Sequence, residues 1–144
     1  MATIRVNDYD MVFVASGAGI PLLLIHGTAS DYRLWAGQTA PFGTRFRTIA
    51  VSLRHYWTER WDGEGDGFSS DQHVLDVAAF ISALHAGPVH LLGLSRGGGI
   101  AFRVAREHPD LVRGLILVEP GLSLDASLEP PHPPVTAPLS FVGM

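Results

Sequence analysis

The stretch that most constrains this chain runs from Val89 to Val104, with Gly93-Leu94-Ser95-Arg96-Gly97 at its centre. An apolar strand stops at a serine flanked by glycines and restarts as a helix, the G-x-S-x-G pattern of a nucleophile elbow. A serine at so sharp a strand-to-helix turn must hold a strained pair of backbone dihedrals. Side chains two residues to either side would collide, and Gly93 and Gly97 stand at those two places without a Cβ. Gly98 and Gly99 carry the run into the first helical turn, where each costs roughly 1 kcal/mol of helix propensity against alanine. Close approach of the helix backbone to the strand is the expected compensation. It would leave the Ser95 hydroxyl exposed at the positive end of the helix.

A chain of 144 residues suffices for one domain with a core of its own. Its formal net charge of -4 implies no polyanion partner, so no nucleic acid is expected. All ten basic residues are arginine, and with no cysteine there is neither disulfide nor thiolate chemistry. The first seven residues carry no signal-peptide pattern and no apolar run is long enough to span a bilayer. A cytoplasmic protein with no membrane partner is the resulting expectation.

Along the chain, Thr3–Val6 and Met11–Ala15 read as an edge hairpin turned by Asn7-Asp8-Tyr9-Asp10. The unbroken apolar run Pro21–Ile25 predicts a parallel strand covered on both faces, ending at His26-Gly27-Thr28. Ser30 or Asp31 can cap a helix carrying Leu34 and Trp35, and Arg45–Val51 reads as the next strand. The loop from His55 to Phe68 holds the acidic alternation Asp62-Gly63-Glu64-Gly65-Asp66-Gly67. A calcium loop would need its bidentate glutamate where His73 stands, so a solvated turn is expected there. Helical spacing of Val74, Val77, Ala78, Ile81 and Leu84 follows a capping box at Ser69 and Gln72 and ends at Ala86-Gly87-Pro88. Pro109 stops the elbow helix after Glu107-His108, and Gly114–Val118 forms another strand. The alternation of strands and helices predicts an α/β fold with a mostly parallel sheet. Residues 1–119 form this core, while 120–144, with six of the ten prolines, read as a linker or the start of a lid.

Leu22-Leu23-Leu24-Ile25-His26-Gly27, Gly93-Leu94-Ser95-Arg96-Gly97-Gly98 and Gly114-Leu115-Ile116-Leu117-Val118-Glu119-Pro120, in that order, resemble the α/β-hydrolase family, serine hydrolase branch. The resemblance covers roughly the first 120 residues. It implies Ser95 as nucleophile and the backbone N–H groups of Thr28 and Arg96 as the oxyanion hole, with His26 structural. Each such donor is worth roughly 3 kcal/mol in the transition state. No metal and no organic cofactor is implied, and the partner is a small-molecule acyl substrate. Serine rather than aspartate at the elbow speaks against the dehalogenase and epoxide-hydrolase branches, which use a carboxylate nucleophile. Where many relatives carry an Asp-x-Arg-Gly-x-Gly-x-Ser segment, this chain keeps only Arg54 and follows it with His55-Tyr56-Trp57.

The family places its triad acid after a seventh strand, or in some branches after the sixth, and its histidine after an eighth. Neither later strand is visible here, so the chain reads as the N-terminal half of the fold, cut after the sixth strand. Serine needs a histidine base oriented by a carboxylate. Glu119 is a candidate acid, and His132, within a proline run, is the only histidine near the end. His55, His73, His85, His90 and His108 sit at element ends or in a loop and make no His-x-x-x-His metal spacing. Three expectations follow: a hydrolase forming an acyl-Ser95 intermediate, a non-catalytic binding module or incomplete fragment lacking the base, or a site completed by a second chain. If the chain is a fragment, an exposed edge at Gly114–Val118 is expected, open to self-association or to a missing C-terminal half.

Overall fold

The computed structural model describes residues 1–59 and 68–121. Strands β1 (Ala2–Val6), β2 (Tyr9–Ser16), β3 (Pro21–Ile25), β4 (Arg47–Val51), β5 (Val89–Leu94) and β6 (Val112–Val118) form one sheet in the order β1-β2-β4-β3-β5-β6. The last four are parallel, while β2 runs antiparallel to β4 and to β1. Helices α1 (Ala36–Gly43), α2 (Ser70–Ala83) and α3 (Arg96–Glu107) provide the connections.

Alternation along the buried strands explains the two-sided packing. Leu23 and Ile25 join Ile49, Val51 and Leu91 beneath Val74, Val77, Phe80, Ile100 and Val104 of α2 and α3. Leu22 and Leu24 point the other way, joining Ala50, Leu92 and Trp35 with Phe42 and Phe46. A strand buried on both faces has no polar side to display, hence the continuous apolar run.

Three details differ from the sequence reading. The hairpin turns on two residues, Asn7 (φ 44) and Asp8 (φ 58), and of its two strands β1 is the edge while β2 is interior, with Met11, Val12 and Phe13 buried. Asn and Asp tolerate the left-handed region that such a tight hairpin requires. Leu34 and Trp35 belong to a short 3-10 turn, Tyr32–Trp35, capped by Asp31, which precedes α1. At α2 the Ser69 hydroxyl accepts from the Gln72 N–H at 3.0 Å, but the Gln72 side chain turns away to Asp76 instead of closing the capping box. The acidic alternation at 62–67 and the segment 122–144, with His132, lie outside the described residues.

Candidate active site

Strand β5 delivers Ser95 to the start of α3, where its dihedrals are φ 51 and ψ -118. The glycines show why the turn can be so tight. A Cβ on Gly93 would stand 2.3 Å from the Gly97 carbonyl oxygen, and one on Gly97 would stand 2.4 Å from the oxygens of both Ile25 and His26. Helix α3 therefore presses directly on β5 and on the end of β3. Gly98 makes the expected close approach, a Cβ there standing 3.1 Å from the Gly93 carbonyl oxygen of β5, and Gly98 and Gly99 also make room for a segment that was not expected, Pro120 and Gly121, at 2.9 and 2.6 Å. That strap closes over the elbow through two hydrogen bonds, Ser95 N–H to the Val118 carbonyl at 3.0 Å and Gly121 N–H to the Ser95 carbonyl at 2.9 Å.

The loop after β3 comes to the same place. A Cβ on Gly27 would lie 3.3 Å from the Ser95 Cβ, so Thr28 follows immediately beside the serine. Ser95 and Thr28 are both exposed, and among the described residues neither the Thr28 N–H nor the Arg96 N–H meets an acceptor. The first amides of a helix have no intrahelical partner, which leaves the Arg96 N–H available to one from outside.

His26 lies beneath this loop, fully buried. Its Nε2 accepts from the Leu53 N–H at 3.1 Å, so Nδ1 carries the proton and donates to the Gly27 carbonyl at 2.8 Å. With both nitrogens used, and burial pushing its pKa down, the ring is a neutral brace for the loop. Tyr56 packs edge-on against it at 4.6 Å between ring centres. Burial raises the Tyr56 phenol's pKa, against the Arg96 charge and the Thr28 side chain.

The residues that sequence reasoning missed sit one layer deeper. His73 lies within the first turn of α2 and is fully buried. Its Nδ1 meets Arg96 Nη2 at 3.2 Å and its Nε2 meets the Arg54 carbonyl at 3.1 Å. Burial, with the Arg96 charge, drives its pKa down to about 4. Asp76, also fully buried, accepts from Arg54 Nε at 2.8 Å and Nη2 at 2.9 Å, from Asn7 and from Gln72. The signal was present in the helical spacing: His73 stands four residues before the core Val77 and so on the buried face.

Glu119 is exposed at the end of β6, at φ 43. Among the described residues no histidine hydrogen-bonds or ion-pairs with it, and none hydrogen-bonds to Ser95. No group of three or more His, Cys, Asp or Glu there could hold a metal. No described helix is long and apolar enough to cross a membrane.

Residues 20–142 match the family described as alpha/beta hydrolase fold. The soluble epoxide hydrolase of Corynebacterium sp. (strain C12) is 32% identical over 125 residues, covering 81% of this chain and 41% of that protein. Among solved structures, the epoxide hydrolase CorEH without ligand superposes with a TM-score of 0.76 at 29% identity, over 90% of this chain and 45% of its own. A malate-bound thermophilic esterase from Thermogutta terrifontis gives a TM-score of 0.70 at 31% identity, over 77% and 40%. The chain thus spans less than half the length of each.

Proposed function

From the premise that this chain belongs to the α/β-hydrolase fold family, we propose that it carries the nucleophile and oxyanion hole of a serine hydrolase acting on carboxylic esters or related acyl compounds. The observation that supports this most directly is the exposed, strained Ser95 beside the backbone N–H groups of Thr28 and Arg96, which meet no acceptor among the described residues. Attack of the Ser95 oxygen on an acyl carbon moves negative charge onto the carbonyl oxygen, which the two amides would receive as hydrogen bonds. The N-terminus of α3 adds its positive end. Collapse releases the leaving group with a proton, and water then cleaves the acyl-serine.

Chemistry also separates this reading from that of the epoxide hydrolases it resembles. A carboxylate that opens an epoxide leaves an ester, which water can cleave. A serine oxygen would leave an ether, which water does not. Ser95 therefore favours an acyl carbon as the target.

A second reading has its own support. The two buried histidines, His26 and His73, have both ring nitrogens committed, and no histidine hydrogen-bonds to Ser95 among the described residues. On this reading the 144-residue chain is a binding module, or the half of a site whose base comes from elsewhere.

An intact mass spectrum before and after treatment with a fluorophosphonate separates the two. A stoichiometric adduct, absent in Ser95→Ala, is the result expected of the hydrolase. Failure to react, with native fold retained, favours the second reading.

A further inference from the structure

The first turn of α3 has an unusual problem of anchorage. It begins at Ser95, whose backbone is strained, and continues through Gly97, Gly98 and Gly99, which have no side chains with which to hold it and which favour helix poorly. Arg96 is the one side chain in that turn that can tie it to the rest of the molecule. Its guanidinium does not reach outward. It lies half-buried 4.9 Å over the Phe68 ring, with Nη2 3.2 Å from His73 Nδ1.

That contact defines the state of His73. A guanidinium only donates, so Nδ1 must accept and Nε2 must carry the proton, which it donates to the Arg54 carbonyl at 3.1 Å. Arg54 is fixed in turn by its ion pair with the buried Asp76, 2.8 Å away on the same helix as His73. The acceptor offered to Arg96 is thus held from two sides. Arg96 differs from Arg54 in having no carboxylate beside it among the described residues, so a neutral imidazole and an aromatic face are what seat it.

The Ser95–Arg96 peptide, whose carbonyl accepts from the Gly99 and Gly121 N–H groups, ends at the Arg96 Cα, so a side chain held in place limits how far that Cα, and the N–H beside it, can move. We propose that His73 is a positioning residue: through the Arg96 side chain it fixes the first turn of α3, and with it the place of the Arg96 backbone N–H at the elbow. The catalytic consequence rests on the reading of that N–H as an oxyanion donor; the anchoring does not.

The test uses amide hydrogen exchange in the full chain and in His73→Leu, His73→Gln and Arg96→Met. The Gly99 amide, bonded to the Ser95 carbonyl at 3.1 Å, reports the first turn, and the His108 amide, bonded to the Val104 carbonyl at 2.8 Å, reports the far end of the same helix. Removing the anchor from either side, in His73→Leu or Arg96→Met, is expected to speed Gly99 exchange on the order of tenfold with His108 unchanged. His73→Gln, whose amide can accept from Arg96 and donate to the Arg54 carbonyl, is expected to restore it. Unchanged Gly99 exchange in both anchor variants, or equal acceleration at His108, overturns the inference. Fluorophosphonate labelling is measured on the same samples. A wild-type Ser95 that does not label overturns the proposed hydrolase while leaving the exchange result to decide the anchoring. Where Ser95 labels, slower labelling in His73→Leu that recovers in His73→Gln is expected.

Discussion

Ser95 sits at φ 51 with its side chain in solvent, so its conformation is strained and its side chain contributes little packing. Replacing it with glycine removes the Cβ conflict. Ser95→Gly is expected to raise unfolding stability by about 1 kcal/mol in urea titration while abolishing any fluorophosphonate adduct. Gly97→Ala goes the other way: its Cβ would meet two backbone oxygens at 2.4 Å, and backbone cannot turn aside as a side chain can. A loss of about 3 kcal/mol or more is expected, read by the same titration. Both positions were legible in the sequence because a tight turn leaves a compositional trace that needs no partner. The full reason for Gly98 and Gly99 was not: the approach of Gly98 to β5 was legible, the segment crossing both glycines was not. They accommodate Pro120 and Gly121, and nothing local to an elbow says which distant segment will cross it.

Between elements, the Arg54–Asp76 pair joins the loop after β4 to α2 and, through Asn7, to the hairpin turn. Removing one member leaves the other buried without its counter-charge, which costs about 3–5 kcal/mol. Arg54→Met is accordingly expected to lose that much stability, and Arg54→Met combined with Asp76→Leu to recover part of it, by denaturant unfolding. His73 makes a pH prediction. In the unfolded chain its imidazole takes up a proton near pH 6.5, in the folded chain only near 4. Between those values the unfolded state binds more protons, so stability falls as pH is lowered from about 6.5 to 4, by up to about 3 kcal/mol. Arg96, Asp76 and His26 are the charged and titratable groups that act on this ring, and His26 shifts in the same direction. His73→Gln should flatten much of that slope. The Arg54 side chain was picked out by family pattern, yet its buried partner was not, because an aspartate within a helix looks the same in sequence whether it faces solvent or an arginine.

At the scale of the molecule, β1 and β6 are the two edges of the sheet among the described residues, and β6 shows Ile116 at 48% and Val118 at 40% exposure. An apolar edge with unpaired backbone groups recruits further strands. Size-exclusion chromatography over a range of concentrations is expected to show association, reduced in Ile116→Lys; a monomer at every concentration counts against it. The sequence alone determined the alternation of strands and helices, the parallel central strands and the place of Ser95, because each follows from local rules: side-chain periodicity, the conformational freedom of glycine and the exclusion of proline from helices. What only the tertiary structure decided is which surfaces meet. It made β2 an interior strand, committed both nitrogens of His26 and of His73, and seated the Arg96 guanidinium on His73 and Phe68. A hydrogen bond between residues 23 positions apart depends on how α2 and α3 pack on the sheet, and that is set by the sum of the core contacts rather than by the residues near either end.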